Sequence, residues 1–401
     1  LLRSKGLNII IDQPLIFNNI ADVSRLQEIH KADLFIANDL NGSNVKIAVV
    51  DTGVDFSNPD IRDSLARDKD NKPIMLDADA QGIVLTETKF IAKINDGKIV
   101  NNTDIVYDDY TSDVYVNSNG VFLRIVRENN TLFKLYNPLY PILSPLVFNV
   151  TTRHDWKIGN SPQDYIRSAS GIYRMGFSIE PQFHLGRFGL IILPVLVIDS
   201  KEPNVYDTII VDMSDAWVDF AIFELKQDPN NLRFDYDFTD EEKRVIGDGN
   251  ELLLYDADKD NLPDLTAGIL GSHAVDLWNI FGNTTIYDLK TGLSNATILE
   301  PIDNNGRYFV IMYDFFGHGT AVSSTIASKG INKYNIYNNG TEYIIKGIAP
   351  GAKIVPIKAL WAGDTQYAWL WAAGFELVNN TWVYNNKKAD IINNSWGIPV
   401  F

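Results

Sequence analysis

The 401-residue chain contains no cysteine. That absence removes disulfides, thiolate metal sites and cysteine nucleophiles at once, and leaves packing or bound calcium to stabilise an exported fold. Histidine is also scarce, with five residues, so a general base must be sought among very few positions. Basic residues are outnumbered: 35 Lys and Arg stand against 51 Asp and Glu, a formal net charge of −16. Nucleic acids and anionic membranes both reward basic patches, so neither is expected as a partner. Long apolar runs are missing too. The longest, Leu190–Ile198 (LIILPVLVI), contains Pro194 and falls well short of the ~18 residues of a membrane span; it reads as a buried strand. The chain opens at Leu1 with neither Met nor a signal peptide, which suggests a processed product.

What is present is a 45% hydrophobic composition, enough for substantial cores and for two domains. N-x-S/T sequons recur from Asn41 to Asn393, either as glycosylation acceptors or as the chance product of an Asn-rich chain. Together with abundant Asn, Tyr and Trp they fit a secreted, extracellular or cell-surface protein.

Residues 1–30 form a poorly periodic N-terminal extension, and the segment 31–92 contains the first α/β signature. There VKIAVV, from Val45, is a continuous apolar strand bounded by turn signals, as suits a parallel sheet covered on both faces. From 93 to 313 short β-like runs alternate with Asn, Asp, Gly and Pro turns. This is a β-rich insertion of roughly 200 residues, large enough for its own core. From 314 to 401 the α/β texture returns: the small-residue helix HGTAVSSTIAS, the strand AKIVPIKAL, the helix-like QYAWLWAAGFELVNN and the strand ADIINNSW.

Three positions carry chemistry. Asp51 closes the apolar strand and precedes Thr52-Gly53, at the sheet edge where open α/β folds place their sites. An Asp there can simply open a turn. D-T-G is also the signature of aspartic proteases, but a single-chain enzyme of that kind needs a second copy, and none occurs. His318, in GHGT at the start of a helix, is of the residue type best suited to a general base and has glycines on both sides to admit substrate. His30, His154, His184 and His273 are isolated, and no H-E-x-x-H spacing supports zinc. The third position is NNSWG, Asn393 to Gly397. Ser395 lacks the helix-opening context of a nucleophile. The extended, Gly-ended edge suits backbone pairing with a bound peptide, with Trp396 walling a pocket.

VKIAVVDTGVD, FGHGTAVSSTIAS, KGIAPGAKIVPIKAL and IINNSWG, in this order, resemble the subtilisin-like serine proteases. The resemblance implies a three-layer αβα fold with a mostly parallel sheet, and a peptidase acting on polypeptides through an acyl-enzyme. Asp51 would orient the imidazole, His318 would act as base and then acid, and Ser395, Trp396 and Gly397 would line the substrate cleft. Ala321 stands where family members commonly carry a second, non-catalytic His. The 267 positions between Asp51 and His318 are similar to the long insertion of the pyrolysin and tripeptidyl-peptidase branch. IMLDADAQGIVLT, LPVLVIDSKEPNVYDTIIVDM and YDFTDEEK look like pyrolysin-like proteases of heat-loving archaea.

Asp256, Asp258, Asp260 and Asp264 in DADKDNLPD set carboxylates on alternate positions of a tight loop, with Leu262 completing the candidate set. Such a loop suits structural Ca²⁺, although no bidentate Glu closes it as in an EF-hand: Ala267 stands there. Asp68–Asp79 is a weaker second candidate. The oxyanion Asn and G-T-S-M-A serine implied by the resemblance follow the NNSWG strand, and no G-T-S-M or G-x-S-x-G occurs in the sequence. The serine is therefore expected on a second chain or on a C-terminal segment of a longer polypeptide. Otherwise the chain is a serine-less scaffold or binding subunit with a protease-like fold.

Overall fold

In the computed structural model the described residues are 25–86, 155–161, 163–184, 187–213, 236–239, 243–255, 265–276, 298–334, 342–360, 365–379 and 381–397, with strand backbones between 88 and 148 and at 217–219. The central sheet consists of β1 (Lys46–Asp51), β2 (Leu76–Asp77), β3 (His273–Val275), β4 (Ile298–Leu299), β5 (Lys353–Lys358) and β6 (Ile391–Asn393). Their order across the sheet is β4-β3-β2-β5-β1-β6. Every junction is parallel except the one between β3 and β4. The α/β class with a mostly parallel sheet is therefore the architecture that forms.

β1 is apolar from Ile47 to Val50 because both of its faces are covered. Ile47 and Val49 pack with Ile354, Phe56 and Ala327, the last on helix α1 (His318–Ala327). Ala48 and Val50 point the other way, into a cluster with Val355, Ile357 and the Tyr367, Ala368, Trp371 and Ala372 face of helix α2 (Thr365–Ala373). One helix thus lies on each face, giving the three expected layers. Each fully buried Val or Ile contributes roughly 1.5–3 kcal/mol, so the two-sided run is a major source of stability. The strand's two-residue period then decides where its last residue points. Asp51 continues the Ile47, Val49 series and faces α1.

Helix α1 approaches β1 closely because the residues it turns inward are small: Gly319, Ser323 and Ala327 are buried at four-residue spacing. A Cβ on Gly319 would sit 2.1 Å from the Gly53 carbonyl oxygen and 3.1 Å from the Asp51 Cβ. Gly53, at φ 109°, has no more room: its Cβ would meet the Tyr313 carbonyl oxygen at 2.1 Å.

Between β2 and α1 the chain is β-rich. A long antiparallel hairpin, Ile172–His184 with Arg187–Ile198, is flanked by Thr88–Ile91 on one side and by Thr208–Val211 and Lys243–Val245 on the other. A four-stranded sheet of Leu252–Tyr255, Leu265–Leu270, Tyr308–Met312 and Ile83–Leu85 packs against it. Ile191, Leu193 and Val195 of the hairpin meet Leu253, Phe309 and Ile311 across that contact. The pairing interleaves the stretch from 93 to 313 with the α/β unit. Two of its strands, β3 and β4, belong to the central sheet, while Thr88–Ile91 pairs outward with the hairpin.

A buried polar knot lies where these units meet. Lys358, the register neighbour of Asp51 on β5, is fully buried. Its Nζ donates to both carboxylate oxygens of Asp79 at 2.8 Å and to Gln81 Oε1 at 2.7 Å, and it stands 4.6 Å from the Tyr313 ring centre. Burial, and then the nearby Asp79 carboxylate, hold the Asp77 carboxyl well above its ordinary range. Glu180 reaches the same region from the hairpin. Its Oε1 accepts from Ser178 Oγ at 2.5 Å, and burial pushes its carboxyl up to about 8. Replacing Lys358 by Met removes the cationic partner of the buried Asp79 carboxylate, with an expected loss of about 3–5 kcal/mol in denaturant unfolding. Adding Asp79→Asn to that variant should recover a large part of the loss. Glu180 retains in the folded state a proton that the unfolded chain releases above 4.5. Its contribution is therefore complete below pH 4.5 and falls away as pH rises to about 8. Glu180→Gln should flatten the melting temperature against pH over that window.

Candidate active site

Asp51 and His318 come together at the end of β1. Asp51 is fully buried, and its Oδ1 accepts from His318 Nδ1 at 2.7 Å and from the Thr52 amide at 2.8 Å. Its carbonyl oxygen is held by the Ala359 and Leu360 amides, in the loop leaving β5. The His318 side chain, by contrast, is 41% exposed. One face of the imidazole is thus fixed to a buried carboxylate while the ring remains open to a reacting group. With Nδ1–H donating to Asp51, the lone pair lies on Nε2, the tautomer a base needs.

A second aspartate fixes the relation between the two. The carboxylate of Asp314, four residues before His318 and almost fully buried, accepts five hydrogen bonds. Oδ1 takes the Thr52 hydroxyl at 2.8 Å and the Phe316 and Gly317 amides at 3.2 and 2.9 Å. Oδ2 takes the Thr320 amide at 2.9 Å and its hydroxyl at 2.6 Å. Helix α1 starts at Gly317 in the left-handed conformation (φ 81°), a residue with no capping side chain, so Asp314 satisfies the first-turn donors instead. Thr52 Oγ1 in turn accepts the Gly319 amide at 3.0 Å, and Thr320 Oγ1 accepts the Asp55 amide at 2.9 Å. Burial pushes the neighbouring Asp55 carboxyl up to about 6, and the Asp314 charge adds to that rise. The sequence reading did not single out Asp314 or Thr52. The available signal was an acidic residue before a helix start with Thr in the first turn.

The third expected element lies on the neighbouring edge. β6 pairs in parallel with β1 through Asn393, and Asn394 to Gly397 follow it outside the sheet. Ser395 and Gly397 are exposed, and a Cβ on Gly397 would touch nothing within 4 Å. Ser395 Oγ accepts from Asn393 Nδ2 at 2.9 Å. Trp396 is tethered: its Nε1 donates to the Val50 carbonyl at 2.8 Å and its ring stacks on Trp369, with centroids 6.2 Å apart and planes 9° apart.

Among the other histidines, His273 starts β3 and its Nε2 lies 3.3 Å from Glu300. Asp256, Asp258, Asp260, Leu262 and Asp264 lie outside the described residues. The weaker Asp68–Asp79 candidate does not fit a cation. Asp68 Oδ1 closes a turn by accepting the Asp70 and Lys72 amides, and Asp79 is ion-paired to Lys358. Among the described residues no group of three or more His, Cys, Asp or Glu is placed to hold a metal, and no helix is long and apolar enough to cross a membrane.

Comparison with known proteins places this geometry in a family. The chain is 25% identical over 406 aligned residues to Pyrolysin of Pyrococcus furiosus, covering 96% of this chain and 22% of that relative. It thus spans well under two thirds of the curated relative it matches. No solved structure matches it. The profile of the Subtilase family matches residues 42–399, from just before β1 to beyond Gly397 and so across both Asp51 and His318. The chain belongs to the Subtilase family.

Proposed function

We propose that this chain is the Asp- and His-bearing part of a serine endopeptidase. The observation that carries the reading is the 2.7 Å contact between a fully buried Asp51 and a half-exposed His318. In this reading Asp51 holds the imidazole and stabilises its cation. His318 takes the proton of a serine hydroxyl as that oxygen attacks the peptide carbonyl, then returns it to the leaving amine. The exposed Ser395–Gly397 edge pairs with the backbone of the substrate, and Trp396, held against Trp369, walls a pocket beside it. The serine and the oxyanion Asn come from sequence outside these 401 residues, on a later segment or a partner chain. The relative of which this chain covers only 22% favours the longer polypeptide. The acidic, cysteine-free chain operates as a secreted or cell-surface protein.

The test is fluorophosphonate labelling of the full-length protein, followed by sequencing of the labelled peptide. A labelled serine in a G-T-S-M-type peptide is the expected result. His318→Ala should lower kcat by roughly 10⁴–10⁶ and abolish labelling, and Asp51→Asn should lower kcat about 10⁴-fold. Labelling that survives His318→Ala unchanged would sink the assignment.

The Asp256–Asp264 loop is our proposal for a structural Ca²⁺ site, resting on hard oxygen donors at alternate positions. Chelation should lower the melting temperature, and Asp258→Ala should remove the sensitivity. A melting temperature indifferent to chelator would exclude the site.

A further inference from the structure

We infer that Asp314 is a positioning residue of the catalytic pair, a bridge that sets the His318 ring against Asp51. The inference rests on the proposed roles of those two residues.

Three observations support it. First, the five donors reaching Asp314 come from both sides of the site: Thr52 follows Asp51 directly, whereas Phe316, Gly317 and Thr320 bracket His318. No other described carboxylate joins these two segments through as many bonds. Second, the bridge is closed by a return contact, because the Thr52 hydroxyl that donates to Asp314 also accepts the Gly319 amide. The residue after Asp51 and the residue after His318 are therefore tied through one oxygen. Third, the helix start cannot hold itself. Gly317 offers no side chain, and a glycine in the left-handed region adopts many other conformations once its amide is released.

The chemistry needs such a bridge. The Asp51–His318 bond is a single contact about which the ring can still tilt, and Asp51 Oδ2 is buried with no hydrogen-bond partner among the described residues. A bond of that kind fixes distance better than direction. Proton transfer between His318 and a hydroxyl requires direction, and a misplacement of about 1 Å can cost roughly a hundredfold in rate. Asp314 touches neither substrate nor reacting atoms. It acts by holding the loop after β1 and the first turn of α1 as one rigid piece. Its charge also lies against the positive end of the helix, where a carboxylate binds the free amides more strongly than a neutral acceptor would.

The experiment uses the full-length protein and the variants Asp314→Ala, Asp314→Asn and Thr52→Val. Each is assayed on a peptide substrate for kcat and KM and normalised to its folded fraction from a thermal melt. Asp314→Ala should lower kcat per folded molecule roughly ten- to hundredfold with KM changed less than about twofold. Asp314→Asn, which keeps one acceptor oxygen, should fall between it and the parent. Thr52→Val breaks the bridge at its other end while leaving Asp314 in place, so it carries the test if Asp314→Ala does not fold. A variant set with lowered melting temperatures but parental kcat per folded molecule would overturn the inference. Hydrogen exchange separates this outcome from failure of the protease reading. If the parent protein hydrolyses no peptide, the protease reading fails. The bridge is then judged by exchange alone: faster exchange at both 51–57 and 314–322 in Asp314→Asn supports it, and faster exchange at 314–322 only refutes it.

Discussion

The close approach of helix α1 to strand β1 is the constraint on which the rest of the site depends. A carboxylate at the end of a buried strand and an imidazole at the start of a helix meet at 2.7 Å only if the two backbones nearly touch. Gly53 and Gly319 make that possible, since a Cβ on either would lie 2.1 Å from a carbonyl oxygen. Strand parity supplies the rest by turning Asp51 toward α1 rather than α2. Everything that hydrogen-bonds around the pair, from Thr52 to Thr320, presupposes this distance.

Asp51, His318 and the NNSWG edge were legible in the sequence because each sits at a boundary that the chain must mark. A continuous apolar run ends at Asp51, a glycine-flanked helix opens at His318, and an extended strand leaves the sheet after Asn393. The parallel sheet covered on both faces followed from the apolar run, and the three-layer architecture from the family resemblance. The membership of β3 and β4 in the central sheet was not legible. Strands of three and two residues carry no periodicity, and their place is set by neighbours distant in sequence. Lys358 was hidden for a related reason. Within AKIVPIKAL it reads as the polar end of a strand, while the carboxylate that holds it lies 279 positions away. Asp314 precedes its helix by several residues, and only the fold brings Thr52 to it across 262 positions.

The stretch from 93 to 313 and the α/β unit share sheets instead of meeting across a linker. The hairpin carrying Glu180 reaches the polar knot around Lys358, and Lys358 is the register neighbour of Asp51. The Arg67–Glu251 pair, bonded through both guanidinium Nη atoms at 3.0 Å, makes another connection between segment and insertion. The floor under the Asp51 strand is therefore built partly from residues far from it in sequence.

The parallel pairing of β1 has a consequence for how the chain is made. The Lys46 amide finds its acceptor in Asp390, 344 positions later. At a synthesis rate of about 5–20 residues per second, β1 leaves the ribosome roughly 20–70 s before β6. Until β5 emerges, a strand apolar from Ile47 to Val50 has neither lateral neighbour, whereas the long hairpin completes its local pairing early. The β-rich stretch is thus able to complete its local pairing while the strand bearing Asp51 waits for β5 and β6.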